Sequence, residues 1–169
     1  MTMTMTTVTP TPLSKEDFAP FGDVIETTAA TRYMINQGTT ERFHDLATVD
    51  TAADGGRTLI SIFRAQPRAK PIPLRMMERH LIGSQAFYPL QNSPYLVVVA
   101  APNDTLTPGD LKVFLAYGTQ GVNYRRGVWH HPLLVLEPNH DFMVVDRGGQ
   151  EMDLEEHWFD DSQTLVAIS

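Results

Sequence analysis

The feature of this sequence that most limits its fold is a series of short apolar segments separated by turn residues. Each segment is rich in β-branched or aromatic residues, and glycine, proline and asparagine separate the segments at intervals of roughly 8–12 residues. Helical periodicity is scarce. Many short strands without long alternating helices predict an all-β sandwich or barrel. The predicted strands are residues 58–66, 71–79, 84–90, 95–101, 111–118, 131–137 and 140–147.

Only a few short helical turns are predicted beside these strands. Ser14, followed three residues later by Asp17, resembles a capping box, and Pro20 ends the helix after one or two turns. The stretch "LTPGD", residues 106–110, predicts one further helical turn, with Pro108 near its start.

Size and composition narrow the class of protein. The 169 residues suffice for one domain with a buried core. The net charge of −7 argues against a nucleic-acid partner, because phosphate backbones require a basic surface. The sequence has no cysteine, which excludes disulfides, zinc–thiolate sites and cysteine nucleophiles and fits a cytoplasmic protein. No apolar run reaches the roughly 18 residues of a membrane span, so no membrane partner is expected.

The first ten residues are interpreted separately from the rest. The stretch "MTMTMTTVTP" has neither the basic region nor the apolar region of a secretory signal, and we expect residues 1–10 to be a disordered tail. No internal repeat or linker divides the remaining chain. Residues 11–169 are therefore expected to form a single domain.

Polar residues that suit chemistry concentrate in two segments, and the first is "MERHLIGSQAF", residues 77–87. Alternation along a strand places Glu78 and His80 on one face and Arg79 on the other. After a turn at Gly83, the side chain of Gln85 can return to the face of His80. A carboxylate, an imidazole and an amide are therefore expected to lie close together.

The second segment, "QGVNYRRGVWHHPLLVLE" at residues 120–137, carries Asn123, Tyr124, Arg126 and two adjacent histidines. Alternation leads us to assign His130 to the site and His131, which precedes a proline, to the outside. Two imidazoles from separate strands with a carboxylate or an amide form a ligand set for a divalent transition metal. The alternative is that these histidines are hydrogen-bonded or solvated strand ends without a ligand role.

The stretch "DRGG", residues 146–149, admits either a turn or a catalytic aspartate. Glycine readily supplies the positive φ of a turn after a strand. We therefore favour a turn over a catalytic role for Asp146.

At these residues the sequence resembles the ureidoglycolate lyase family, formerly called ureidoglycolate hydrolases, which are small members of the cupin superfamily. The resemblance follows the family order from about residue 11 to 160, and "GVNY", "GVWHHPL" and "ERHLIGSQAF" are its most specific parts. The matching stretches are "LSKEDFAPFGDVIE", "YMINQGTTERFHDLA", "TLISIFRAQP", "ERHLIGSQAFYPL", "QGVNYRRGVWHHPLLVLE" and "DFMVVDRGG".

The resemblance implies a cupin double-stranded β-helix, which is a jelly-roll barrel, usually in a homodimer. The usual cupin metal pattern has two histidines and a glutamate in a first motif and one histidine in a second. Here Glu78, His80 and Gln85 occupy the first motif, and His130 is the histidine of the second. The resemblance thus implies a divalent ion, with nickel favoured, held by His80, Gln85 and His130. The departure from the usual ligands leaves open a metal-free site that acts through hydrogen bonds.

The activity that the resemblance implies is that of a carbon–nitrogen lyase of the amidine-lyase type. It converts (S)-ureidoglycolate to glyoxylate and urea in allantoin degradation, a part of purine metabolism. A base takes the hydroxyl proton while the C–N bond breaks, and an acid protonates the leaving nitrogen. The implied catalytic residues are Glu78, His80 and His130, with Glu78 as the base provided that its surroundings raise its pKa.

Further residues are implied as substrate-binding: Arg64, Gln85, Asn123, Tyr124 and Arg126. Arg64 or Arg126 would bind the carboxylate, because a guanidinium pairs with it through two hydrogen bonds. Asn123 and Tyr124 would bind the ureido end.

Two other functions remain open from the sequence. One is another small-molecule enzyme of the cupin superfamily, such as an isomerase, which urea release from ureidoglycolate would distinguish. The other is a non-enzymatic ligand-binding cupin, which would bind a small molecule without turnover.

Overall fold

The computed structural model describes residues 6–161 and the backbone of residues 165–166. Residues 1–5 of the predicted tail, and residues 162–164 and 167–169 of the predicted domain, lie outside the described residues. Nearly all regular structure in the described part is β-strand. The strands are β1 (Thr11–Pro12), β2 (Gly22–Ile25), β3 (Thr31–Ile35), β4 (Thr40–His44), β5 (Arg57–Ala65), β6 (Pro73–Leu74), β7 (Met76–Arg79), β8 (Gln85–Pro89), β9 (Tyr95–Ala100), β10 (Lys112–Ala116), β11 (Gly121–Tyr124), β12 (Trp129–His130), β13 (Leu134–Val135), β14 (His140–Gly148), β15 (Glu155–Trp158) and β16 (Leu165–Val166).

The helical structure is short, as predicted. One α-helix, α1 (Lys15–Phe18), begins where the backbone N–H of Asp17 donates to Ser14 Oγ at 3.1 Å. Phe18 is fully buried and contacts the rings of Phe114 and Tyr124, so the helix closes one part of the barrel core. The remaining helical residues form 3-10 turns at Asn36–Gly38, Ala53–Gly55 and Pro108–Asp110. Among the described residues, none of the helices has the length and apolar character that a membrane crossing requires.

Two sheets form the body of the molecule. Within the described residues, the first has the order β1-β10-β9-β12-β7-β15, with β13 also paired to β9, and the second has the order β2-β11-β8-β14-β5. Pairing is antiparallel throughout except between β1 and β10. The β3–β4 hairpin and the β6–β16 pair stand apart from both sheets. This arrangement confirms the predicted all-β, jelly-roll-like fold.

Strand β9 shows how the two apolar cores are divided. Its residues are all buried, and alternate side chains enter different clusters. Tyr95, Val97 and Val99 pack between the sheets, together with side chains from β8, β11 and β14. Leu96, Val98 and Ala100 face a second core that includes Val8 and Phe159. The first sheet therefore has apolar packing on both of its faces.

The structure corrects three predicted segments. Residues 71–79 were predicted as one strand but form β6 and β7, which pair in different sheets. Residues 131–137 were predicted as one strand, but only Leu134–Val135 is a strand, because Pro132 interrupts the pairing. The predicted turn at residues 146–149 is wrong, since β14 continues through Gly148. Asp146 is paired on both sides, opposite Gln85 of β8 and Leu59 of β5, and this ladder extends the strand.

Candidate active site

Strand register brings the polar residues of the two predicted segments together. In the first sheet, His130 of β12 lies opposite Glu78 of β7. In the second sheet, Gln85 of β8 lies opposite Tyr124 of β11 on one side and Asp146 of β14 on the other. The two sheets thus contribute facing sets of side chains at one end of the barrel.

Glu78, His80 and His130 form a cluster. Each offers one ligand atom, and these atoms all lie within 4.8 Å of one another. Glu78 Oε1 is 3.5 Å from His130 Nε2, and the centroids of the two imidazole rings are 5.4 Å apart. A carboxylate and two imidazoles at these distances could hold a divalent transition metal.

Backbone carbonyls lie beside both histidines, and the short contact of His80 fixes its tautomer. His80 Nδ1 contacts the carbonyl oxygen of Asp153, and His130 Nδ1 lies 3.4 Å from that of Val128. Because a carbonyl oxygen only accepts, His80 Nδ1 carries a proton, and a neutral His80 ring then presents Nε2 as a lone pair. His80 Nε2 faces Gln85 Oε1 at 3.1 Å. His130 Nε2 is buried and has no hydrogen-bond partner among the described residues.

A cavity of about 110 Å³ lies against this cluster. It is smaller than the roughly 300–1,000 Å³ of pockets for drug-sized ligands, so it suits a small substrate. Among the described residues, its lining includes no lysine or arginine. The lining residues are Phe63, Glu78, Gln85, Phe87, Tyr124, His130, His131, Pro132 and Leu133. His80 lines a neighbouring cavity of about 250 Å³ with Asp146 and Asp153.

The expectation that His131 lies outside the site is wrong, because its side chain lines the same cavity as His130. Strand β12 ends at His130, so the alternation that was applied to the pair does not extend to His131. His131 Nδ1 contacts the carbonyl oxygen of Pro132 at 2.8 Å.

The surroundings of the cluster change the pKa values of its groups. Burial raises the pKa of Glu78, but His130, and less strongly His80 and His131, lower it, and the net pKa lies below the ordinary value. The raised pKa on which the sequence-based assignment of Glu78 as the base depended is therefore not found. Burial lowers the pKa of His130, which Glu78 opposes only in part, and burial lowers the pKa of His131 to about 4. Burial, with a smaller contribution from Glu78, raises the pKa of Tyr124.

Tyr124 links the cluster to the aromatic core. Its ring stacks on the ring of His130 with a centroid distance of 4.2 Å and an angle of 2° between the planes. Phe87 meets the Tyr124 ring edge-on. The orientation of His130 is therefore held by aromatic contact as well as by the carbonyl of Val128.

The structure does not bring three of the predicted substrate-binding residues into the 110 Å³ cavity. Arg64 follows Phe63 on β5 and points to the opposite face, where it forms two hydrogen bonds with Asp141 at 2.8 and 3.1 Å. Asn123 and Arg126 line a different cavity of about 280 Å³.

The contacts of Asn123 and Arg126 explain their position. Asn123 donates to Asp23 Oδ2 at 3.0 Å and to the carbonyl oxygen of Thr48 at 2.9 Å. Arg126 pairs with Asp50, with 2.9 Å between the charged atoms. Asn123 precedes Tyr124 on β11, and adjacent strand residues point to opposite faces.

Asp146 is a residue at the site that the sequence interpretation missed. Its Oδ2 accepts a hydrogen bond from Gln85 Nε2 at 3.1 Å. The signal was present in the alternation of β14, because Phe142 and Val144 are core residues and Asp146 has the same parity.

The chain is similar in sequence to one family of known proteins. A family model described as ureidoglycolate lyase matches residues 5–166. A ureidoglycolate lyase from Brucella anthropi is 59% identical over 151 residues, which is 89% of each chain. One from Pseudomonas entomophila is 53% identical over 92% of this chain and 93% of its own, and one from Stutzerimonas stutzeri is 52% identical over 96% and 95%.

Solved structures with lower similarity were also found. RmlC from Streptococcus suis, in complex with dTDP-D-xylose, has a TM-score of 0.45 at 12% identity and covers 88% of this chain and 75% of its own. A 3,4-ketoisomerase from Helicobacter canadensis has a TM-score of 0.41 at 12% identity, with coverage of 84% and 87%.

Proposed function

The chain belongs to the ureidoglycolate lyase family, and on that premise we propose that it converts (S)-ureidoglycolate to glyoxylate and urea. The observation that carries this proposal is the cluster of Glu78, His80 and His130 beside a small cavity. Cleavage of this substrate requires a proton to leave its hydroxyl group and another to reach its leaving nitrogen. The cluster supplies groups that can exchange protons at both positions.

The donor atoms of the cluster fit a divalent cation. His130 Nε2 is buried without a hydrogen-bond partner among the described residues, and His80 Nε2 and Gln85 Oε1 face each other as two acceptors. We propose that His80, Gln85 and His130 hold this ion with Glu78 beside them. Imidazole ligands suit nickel, and the absence of thiolates argues against a soft site. The bound ion would supply Lewis acidity at a substrate oxygen.

The charge of the cavity also favours a cation. Ureidoglycolate is an anion, and Glu78 already contributes a carboxylate to the lining. No lysine or arginine of the described residues lines this cavity. A substrate carboxylate could therefore bind here with less repulsion if a positive ion compensated the charge.

Glu78 is the proposed base. Its lowered pKa keeps the carboxylate ionised at neutral pH, so that it can accept the hydroxyl proton of the substrate. The electron pair of the O–H bond then forms the carbonyl of glyoxylate, and the C–N bond breaks toward the ureido nitrogen. The same carboxyl group can return its proton to that nitrogen, which releases urea and restores the carboxylate.

Tyr124 is the proposed hydrogen-bond donor to the substrate. Its raised pKa keeps the phenol protonated over the pH range in which Glu78 is ionised. Its ring lines the cavity and stacks on His130, so its hydroxyl has a fixed direction. A neutral donor suits the polar ureido group, which carries a carbonyl acceptor.

The experiment that tests the activity measures urea and glyoxylate released from each enantiomer of ureidoglycolate. We expect equal amounts of the two products and a strong preference for the S enantiomer. Binding of ureidoglycolate without product would support a ligand-binding protein instead. Conversion to an isomer without urea release would support an isomerase.

A separate experiment tests the ion. Exhaustive chelation should abolish turnover, and nickel, manganese or zinc is then added back one at a time. Restoration by one ion, and its loss in Gln85→Ala, is the expected result. Full turnover of protein shown to be metal-free by elemental analysis would contradict the proposal, and the same residues would then bind substrate through hydrogen bonds.

We also propose a homodimer of single-domain subunits in the cytoplasm. The family match covers residues 5–166, which supports one catalytic domain over most of the proposed residues 11–169. The match begins inside the predicted tail, and Val8 of that tail packs against the second core. Ile60 and Ile62 on the outer face of β5 are 73% and 64% exposed, which supports a protein contact there. Cell fractionation tests the location, and the mass in solution tests the assembly.

A further inference from the structure

A chain of hydrogen-bonding groups crosses the end of the barrel beside the cluster. It begins at the carbonyl oxygen of Asp153, passes through the ring of His80 and the amide of Gln85, and ends at the carboxylate of Asp146. The two inner contacts, His80 Nε2 to Gln85 Oε1 and Gln85 Nε2 to Asp146 Oδ2, are both 3.1 Å long. Each end of the chain is a group that only accepts hydrogen bonds.

Asp146 determines which end of the Gln85 amide faces the cluster. A carboxylate oxygen requires a donor, so the NH₂ group of Gln85 turns toward Asp146. The amide oxygen is then left to face His80. Since Gln85 is only 6% exposed, water has little access to compensate for a reversed amide.

At the opposite end of this hydrogen-bonded chain, Asp153 determines which nitrogen of His80 carries the proton. The carbonyl oxygen of Asp153 takes the proton on Nδ1, so a neutral His80 turns a lone pair toward the oxygen of Gln85. Two acceptors at 3.1 Å repel each other unless a positive species lies at the contact. The hydrogen-bonded groups therefore direct the lone pairs of His80 Nε2 and Gln85 Oε1 toward a position that favours a cation.

We propose that Asp146 is a positioning residue, which holds Gln85 with its amide oxygen toward Glu78, His80 and His130 and so makes that oxygen available to a divalent cation. The inference deepens the proposed function and rests on the cation site proposed there. Asp146 acts through Gln85, as groups behind metal ligands commonly do, and replacing such groups lowers metal affinity about 10–100-fold.

The position of Asp146 in the fold suits this role. It lies within β14 and is paired with strands on both sides, opposite Gln85 and Leu59. Its carboxylate is therefore held by the central part of a sheet and not by a loop. The same ladder sets the distance between the carboxylate and the amide.

The first test is nickel binding, measured by calorimetry, in a cycle of two substitutions. In Asp146→Asn the new amide can donate or accept, so Gln85 is free to reverse, and nickel affinity should fall about 10–100-fold. In the Gln85→Glu background, both terminal side-chain atoms at position 85 are oxygens. The amide introduced by Asp146→Asn can donate to one of these oxygens while the other oxygen faces the cluster. There the same substitution should cause no loss of affinity.

The control variant is Asp141→Asn. Asp141 lies on the same strand, but its carboxylate pairs with Arg64 on the outer face. This variant removes one negative charge from β14 without touching Gln85, and its nickel affinity should equal that of the unmodified protein. Circular dichroism and thermal unfolding verify that all variants are folded.

An equal loss of affinity for Asp146→Asn in both backgrounds would overturn the inference, because a general structural or charge effect does not depend on the residue at position 85. A second measurement does not need the ion. A neutron structure of metal-free protein should show deuterium on the Gln85 atom that faces Asp146 and none on the atom that faces His80. The reverse assignment would overturn the inference, even if the protein binds no nickel and the proposed ion site fails.

Discussion

His130 and His131 are adjacent residues with different surroundings, and their replacement should have different effects. Both side chains line the cavity, but His130 belongs to the cluster with Glu78 and His80, whereas His131 lies beside that cluster. We expect His130→Ala to lower turnover at least about tenfold, since the loss of one acid–base group typically costs about 10²–10⁴-fold. His131→Ala should have a smaller effect, mainly on KM. Steady-state kinetics measure both variants after circular dichroism has verified that they are folded. Equal losses of turnover would contradict this prediction.

His140 is a buried histidine that the proposed reaction does not use. It is 1% exposed, packs against Tyr95 and Phe142, and neither ring nitrogen has a hydrogen-bond partner among the described residues. Burial lowers the pKa of His140, and the nearby carboxylates Glu137 and Asp141 oppose this only in part. The folded state therefore binds this proton less readily than the unfolded chain.

The pH dependence of stability follows from that difference. The contribution of neutral His140 to the free energy of unfolding is fully present above its pKa in the unfolded chain, about 6.5. This contribution is lost as the pH falls through the lower pKa of His140 in the folded protein. His140→Leu removes the group, so its free energy of unfolding should fall less between pH 8 and pH 5 than that of the unmodified protein. Urea denaturation at both pH values measures this. The same fall in both proteins would show that His140 does not contribute.

The loop at residues 66–72 is a connecting element that brings a cation toward the cavity. Arg68 in this loop lies close enough to contribute to the lowered pKa of His131. Arg64, which was predicted to bind the substrate carboxylate, is instead paired with Asp141 on the outer face of β5.

Arg68 is therefore expected to attract the anionic substrate. Arg68→Gln should raise KM for ureidoglycolate severalfold with little change in kcat, and the effect should shrink at high salt because exposed charges are screened. The matched variant Arg64→Gln should leave both constants nearly unchanged. A larger effect of Arg64→Gln than of Arg68→Gln would restore the original assignment.

The elements that were predicted from sequence are those with long apolar or alternating runs. Strands β5, β9 and β14 each combine several β-branched or aromatic residues, and packing agrees with that pattern. Strands β11 and β12 were not predicted, because Gly121–Tyr124 and Trp129–His130 are too short and polar to show a period. Their existence depends on partners elsewhere in the chain, which local pattern does not reveal.

The site residues also divide into those that the local sequence predicts and those that depend on the pairing of distant strands. Glu78, His80, Gln85 and His130 come together as expected, because three of them lie around one turn and the fourth is on a strand paired with β7. Arg64 and Asn123 point away from the cavity because one position along a strand changes the face. Asp146 was missed because two glycines after it favoured a turn, while strand pairing on both sides decided its conformation.

On the scale of the whole molecule, the outer face of β5 should be part of the subunit contact. The proposed homodimer should give twice the 18.9 kDa chain mass in light scattering at micromolar concentration. Replacing Ile60 and Ile62 by serine leaves the core intact, since both side chains are mostly exposed, and should shift the mass toward the monomer. A monomer mass for the unmodified protein would refute the dimer. An unchanged dimer in the variant would place the contact elsewhere.

The packing of β9 on both faces has a consequence for how the molecule opens. Amide hydrogens of a central strand between two apolar cores exchange with solvent only when much of the structure unfolds, whereas those of an isolated hairpin exchange through local opening. Protection against exchange should therefore be high along β9 and low in β3–β4. Strand β12 joins β9 to β7, so His130 and Glu78 are attached to a part of the protein in which we expect slow exchange. Their mutual distance should then persist through the fluctuations that expose the hairpin.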